Sequence, residues 1–276
     1  MDRKRLKQYL VDAEVIDISE RLPEFEHMNK HSHAVAVDIG DGKQRIVQYC
    51  SPDYNLTLQK DIVLPFIDHL EANGLNVDLA PSSSMENSSR FFMDFTLSDH
   101  NLSVGKRIDQ VIPKIRMVNS YDGRVRYAFT MGFFRLVCSN GLMIPEGDVV
   151  QIRKMHTPGL DEVTNFDAIT DMAHDFIAQA KNAIGPYKQL AQQKVPSLEE
   201  RVEEVMLNSR FPKRQQELVL ERINQEISEY KIAQTDWAVY NGFNGELNHN
   251  QEIGMPEHKK TKLDQDILQH LLAYPA

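Results

Sequence analysis

The sequence predicts an α+β fold: an N-terminal antiparallel sheet with one packed helix, followed by a helical C-terminal region. Three observations predict it. Before residue 158 several runs alternate apolar and polar residues, the period of half-buried strands. Within that part Leu58, Ile62, Phe66 and Leu70 recur every four residues, a single helical stripe. After Pro158-Gly159 the helical period takes over, with almost no strand pattern. Strands followed by helices, rather than alternating with them, mark an α+β chain. The resulting division is a leader at 1–33, a sheet-plus-helix core at 34–158 and a helical region at 159–276.

The elements follow in order. The leader reads as extended or partly helical. AVAVDI at 34–39 and KQRIVQYC at 43–50 flank the turn signal GDG, so 34–50 is a hairpin. The stripe from Leu58 to Leu70 is a helix, with Asn55 or Thr57 as a start cap and Gly74 as its stop; Pro65 lies inside it. PSSSMENSS at 81–89 has nothing apolar to pin it and reads as a mobile polar loop. RFFMDFTLS at 90–98 is a strand, and 114–131 is a second hairpin. GFFRLVCSNGL fits a strand or a short helix, and VVQIRKM fits a strand. Ser197 followed by Glu200 is a capping box opening LEERVEEVML. Pro212 breaks that helix, and RQQELVLERINQEISEYKIA resumes as a long amphipathic one.

Composition excludes several classes. No run of about 18 apolar residues exists to cross a membrane, and MDRKRLKQYL lacks the apolar stretch of a secretory signal. Two cysteines, Cys50 and Cys138, make no disulfide framework, so the expected location is the cytoplasm. The net charge is −9, yet residues 103–154 carry +5 and the rest −14. Charge runs of this kind often only solvate a surface.

The second hairpin organises the basic segment. With Tyr121-Asp122-Gly123 as a three-residue loop, Ser120 pairs with Arg124 and Arg116 with Ala128. Ile115, Met117, Val125, Tyr127, Phe129 and Met131 then share one face. Lys114, Arg116, Arg124 and Arg126 share the other. Four cations on one sheet face would suit a polyanion, whose binding releases counterions. The alternative is that carboxylates of the acidic helices shield them.

Other candidates are weaker in chemistry. His27, His31 and His33 supply too few ligands for a metal, which needs three or four, so no metal or cofactor is expected. Cys138 has His156 and His174 in the chain but nothing that places a base beside it, so a buried structural thiol is expected. No G-x-G-x-x-G or G-x-x-x-x-G-K-[ST] phosphate cradle is present. Trp237 and Tyr240 read as core or interface anchors. No complete catalytic motif is found.

NSYDGRVRYAF and GFFRLVCSNGL together resemble the signature of a widespread phage- and plasmid-borne family of unknown function, in which an N-S-x-D-G turn precedes R-x-V-C-x-N. Asn119, Ser120, Asp122, Gly123, Arg135, Cys138 and Asn140 match it, and Trp237, Tyr240 and Asn241 match its W-x-x-Y-N segment. The resemblance covers roughly 40–250 and implies a mobile-element origin without a reaction. The order hairpin, helix, meander, helix is also similar to the core of Rad52-like single-strand annealing proteins. That likeness implies a basic groove on an oligomer, with cations on phosphates and aromatics under bases. Lys114, Arg116, Arg124, Arg126 and Arg135 would be its cations and Tyr121 its aromatic. The expected function is therefore phage-type single-stranded DNA binding in recombination or replication, as a homo-oligomer. The alternative is a module that inhibits or adapts a host protein through its acidic helices.

Overall fold

The computed structural model describes residues 3–21, 32–104, 109–135, 140–143, 151–154, 166–250 and 255–276. The protein is α+β, with antiparallel sheets first and helices after. It forms two compact units, each discontinuous in sequence. One takes Met1–Leu97, Ile115–Thr130 and Gln151–His174; the other takes Ser98–Lys114, Met131–Val150 and Asp175–Ala276.

The first unit opens with a short helix, α1 (Arg3–Leu6), and a 3₁₀ turn at Lys7–Tyr9. The leader is more than a tail, because β1 (Ala13–Asp17) pairs with β2 (His33–Asp38) after α2 (Ile18–Arg21). β2 pairs in turn with β3 (Gln44–Cys50), the hairpin expected at 34–50. These three strands form their own sheet, in the order β1-β2-β3. The sequence hides β1 because it is a short strand that is only half-buried.

The predicted single helix is α3 (Gln59–Ala72). Ile62, Phe66 and Leu70 are fully buried, and Phe66 packs its ring 5.5 Å from Phe95 and 4.9 Å from Phe129. Leu58 precedes the helix in extended conformation, and no side chain caps it, so neither Asn55 nor Thr57 does. Gly74 ends the turn with φ +79, where other residues are strained.

The remaining strands are β4 (Val77–Leu79), β5 (Ser84–Glu86), β6 (Arg90–Leu97), β7 (Leu102–Ser103), β8 (Gln110–Ser120), β9 (Tyr127–Arg135), β10 (Asn140–Met143) and β11 (Gln151–Lys154). Their order is β10-β9-β8-β6-β4, with β5 on β6, β7 on β8 and β11 on β9. The expected loop at 81–89 is thus largely a hairpin. Ser84, Met85 and Glu86 pair with Phe92, Phe91 and Arg90, and Asn87 and Ser88 turn the chain with positive φ. Hydrogen bonds hold it where apolar anchors are missing: Tyr9 Oη donates to the Ser83 carbonyl at 2.7 Å, and Ser83 Oγ accepts from the Asp94 amide at 3.0 Å.

The loop between β8 and β9 runs over 121–126, so the three-residue turn pairing Ser120 with Arg124 does not form. Ser120 Oγ closes it instead, accepting from the Val125 amide at 3.2 Å and donating to its carbonyl at 2.8 Å. A polar side chain that satisfies both backbone groups makes the wider turn stable without a ladder bond. Gly123 does take the left-handed conformation, φ +65, as expected.

Helices follow: α4 (Phe166–Ala183), α5 (Gly185–Leu190), α6 (Leu198–Ser209), α7 (Gln216–Tyr230), α8 (Asp236–His249) and α9 (Glu257–Ala273). Ser197 caps α6, accepting from the Glu200 amide at 3.3 Å. α8 is the centre of its unit, with every residue from Asp236 to Leu247 buried. Trp237 and Tyr240 are therefore core anchors: Tyr240 stacks with both Trp237 and Tyr187, and Trp237 packs tilted against Tyr187. The Pro158-Gly159 boundary lies outside the described residues.

Candidate functional site

The sheet does not offer the basic face that alternation predicts. Ile115, Met117, Phe129 and Met131 are buried as expected, but so are Lys114 and Arg116. Both faces of the strand are covered, and a cation there must be paired rather than solvated. Arg116 donates from Nε to Asp94 Oδ1 at 2.7 Å and from Nη2 to Oδ2 at 2.9 Å. Asp94 is itself fully buried and accepts from Ser82 Oγ.

Arg135, nominated as a fifth cation, is also wholly buried. Its Nε donates to Asp109 Oδ1 at 2.6 Å and its Nη1 to Glu226 Oε2 at 2.7 Å. The guanidinium lies 5.3 Å from the Trp237 ring centre, and the indole Nε1 donates to the other Asp109 oxygen. Tyr121 is no exposed stacking platform either. Its hydroxyl accepts from the Gln59 amide and donates to the Val11 carbonyl, each at 2.8 Å, and burial pushes the phenol well above its ordinary range. Only Arg124 and Arg126 of the six are exposed, the Arg124 side chain by 74%. The expected basic face is thus replaced by internal ion pairs.

The signature residues build the interior. Asn119 Nδ2 donates to Gln59 Oε1 at 2.9 Å and its Oδ1 accepts from the Ser120 amide. Asp122 accepts from Arg90 Nε at 2.6 Å and from the Arg124 amide at 3.1 Å, which holds the loop. Tyr240 Oη and Asn244 Nδ2 donate to the two oxygens of buried Asp264 at 2.9 and 2.7 Å. Asn241 Nδ2 donates to the Trp237 carbonyl at 2.6 Å. Asn140 begins β10, and Cys138 lies outside the described residues, as do Lys106, Arg107, His27 and His31.

Reactive groups are not assembled among the described residues. Asp17, His33 and Cys50 occupy one row across β1, β2 and β3. His33 Nδ1 bonds Ser32 Oγ at 2.9 Å, and Nε2 stands 4.0 Å from Asp17. Burial pushes the Cys50 thiol up, the reverse of what a nucleophile needs. No group of three His, Cys, Asp or Glu side chains placed to hold a metal occurs among the described residues. No described helix is long and apolar enough to cross a membrane.

The outer face of the three-stranded sheet is the candidate site. Directly paired residues share a face, so Ile16, Ala34 and Tyr49 form one row and Glu14, Ala36 and Ile46 the next. In a regular strand Ile46 and Tyr49, three apart, would point to opposite faces. The register shift between Val35 and Ala36 places an extra residue in β3 and brings them to the same side. Ala34 and Ala36, their partners on β2, are buried, while Ile46 is 45% and Tyr49 63% exposed. Gln44 Nε2 donates to Glu14 Oε1 at 2.7 Å along the rim. The opposite face carries Val35 and Val37 into a core with Cys50, Phe91 and Tyr121. Sequence reasoning missed this site because alternation assigns Ile46 and Tyr49 to different faces, and no residue type announces a bulge.

A family model described as a domain of unknown function (DUF932) matches residues 47–272. No curated protein matches the chain, and no solved structure does.

Proposed function

The chain belongs to the DUF932 family, and from that premise we propose that it is a protein-interaction module that engages a partner protein through the outer face of its three-stranded sheet. The observation that carries this reading is the co-alignment of exposed Ile46 and Tyr49 by the bulge in β3. Tyrosine beside an aliphatic residue is the composition of interface centres, because a large, rigid area is removed from water at small entropic cost. Among its paired residues this face carries Glu14 and no Lys or Arg, which disfavours a phosphate backbone and leaves a protein surface as the fitting occupant. A phage- or plasmid-borne origin and action on a host factor in the cytoplasm belong to this reading.

The test uses the full chain, nuclease-treated lysate and an Ile46→Lys/Tyr49→Lys variant. Recovery of a stoichiometric protein by the wild type and its loss in an equally stable variant supports the reading. Equal recovery by both rejects it.

Single-stranded DNA is the second reading, favoured by the exposure of Arg124 and Arg126 on the loop after β8. It retains the annealing role and the oligomer, but moves the contact from a sheet face to a loop. Retention of an oligonucleotide at low salt that an Arg124→Ala/Arg126→Ala variant loses supports it. Retention that this variant keeps removes those arginines from the contact.

A further inference from the structure

We propose that the cleft between α6 and α9 binds the phosphate of a nucleotide, free or within a strand, with Arg210 and Lys262 on the phosphate and the Tyr274 ring beneath the base. The cleft has a volume of about 530 Å³ and is open to solvent; Asn208, Arg210, Lys262, Asp266, His270 and Tyr274 line it. Its walls are fixed. His270 Nε2 lies 3.2 Å from Glu204 Oε1, and Arg201 Nη2 donates to the Tyr274 carbonyl at 2.6 Å. As the α6 number falls the α9 number rises, so the helices run antiparallel and their facing side chains form the groove.

The charges in the cleft differ from those elsewhere in this unit. Arg135, Arg201 and Arg222 are each bound by carboxylates. Among the described residues neither Arg210 nor Lys262 forms an ion pair, and both are exposed in a chain of net charge −9. Further basic residues flank both in sequence. Lys213 and Arg214, both exposed, follow Arg210, and Lys259 and Lys260 precede Lys262. Lys259 and Lys260 lie in the first turn of α9, where the helix dipole disfavours cations. A bound anion offsets that repulsion. Arg210 supplies the planar fork that grips two phosphate oxygens, and Lys262 a mobile point charge.

The aromatic end of the cleft adds the second half of a nucleotide. Tyr274 is 63% exposed, and its ring rests 5.2 Å from that of His270, tilted by 37°. One face is supported, and the exposed remainder offers a base a stacking surface. Lys262 to Tyr274 spans twelve residues, about 18 Å along a helix. The Tyr274 ring rests on His270, eight residues or about 12 Å along the helix from Lys262, and the long Lys262 side chain closes part of that gap, which brings phosphate and base contacts within the reach of one nucleotide.

Fluorescence anisotropy with a labelled oligothymidylate, competed separately by adenosine monophosphate and inorganic phosphate, tests the proposal on the full chain. Binding should weaken with salt, and Arg210→Ala/Lys262→Ala, which removes one phosphate contact, should lower the salt slope by about one. Tyr274→Ala should weaken the oligonucleotide and the nucleotide but leave inorganic phosphate unchanged. Competition by the mononucleotide identifies a free nucleotide as the ligand, and its failure identifies a strand. Should the double variant unfold, Lys262→Glu alone carries the same expectation. Absence of binding at low salt overturns the proposal. Binding kept by the Arg210 and Lys262 variants but lost by Arg124→Ala/Arg126→Ala also overturns it, and assigns the phosphates to the first unit.

Discussion

Arg116 meets Asp94 through two parallel hydrogen bonds inside the first unit, at 2.7 and 2.9 Å, with both side chains buried. Buried pairs of this kind cost desolvation on both sides, and removing one partner strands the other. Arg116→Ala and Asp94→Ala should each lower stability by about 3–5 kcal/mol. An Arg116→Met/Asp94→Leu protein should lose less than either single variant. Urea unfolding of the four proteins makes the comparison. Single variants indistinguishable from wild type would mean that the pair is solvated.

Arg135 joins three partners at once, and its geometry matters as much as its charge. Lysine keeps the charge but can neither bridge Asp109 and Glu226 nor lie flat on Trp237. Arg135→Lys should therefore be nearly as damaging as Arg135→Met, at about 3–5 kcal/mol. Trp237 is the chain's single tryptophan, so its emission reports the site directly. A lysine variant with wild-type emission and melting temperature would count against this account.

Two glycines on α8 answer differently to the same substitution. A Cβ at Gly242 would lie 2.3 Å from Ile223 Cγ1 and 3.3 Å from the Val219 carbonyl. A Cβ at Gly245 would meet Arg222 Cδ at 2.5 Å, within a flexible side chain. Gly242→Ala should cost about 1–3 kcal/mol from overpacking. Gly245→Ala should cost less, since Arg222 can shift and alanine favours the helix by about 1 kcal/mol. Thermal unfolding of both variants ranks them, and the reverse order would refute the packing described.

Acid should weaken the contact that joins α6 to α9. Burial opposes ionisation of Glu204, but Arg201 and then His270 outweigh it and hold the carboxyl below its ordinary range. A depressed carboxyl stabilises the fold above its unfolded value, and that contribution is lost as pH falls through the folded one. Glu204→Gln should thus be less stable than wild type at neutral pH, by under about 1 kcal/mol because the pair is partly exposed. The gap should close below about pH 4. Asp236 has the opposite sign, since burial raises its carboxyl in spite of Arg201. Urea midpoints against pH for the Glu204→Gln pair isolate the first effect. A gap that persists in acid would assign it to packing.

Much of the layout was legible in sequence. The stripe Ile62, Phe66, Leu70 specified α3 because helical spacing puts those side chains on one face whatever they pack against. Ser197 and Glu200 specified the start of α6 because a cap is a local hydrogen bond. The alternation around Lys114 and Arg116 specified strands too, but not which side faces water. That depends on what covers the second face, and the carboxylates that meet Arg116 (Asp94) and Arg135 (Asp109 and Glu226) lie 22, 26 and 91 positions away in the chain. The bulge that aligns Ile46 with Tyr49, and the approach of Arg210 to Lys262, are likewise invisible to spacing.

The chain by itself determined the periodicities, caps and turns, since each arises from contacts within a few residues. Tertiary structure alone decided which charges are neutralised inside and which stay exposed. Neutralising a buried cation requires a carboxylate within hydrogen-bond reach, and only folding brings residues dozens of positions apart to that distance.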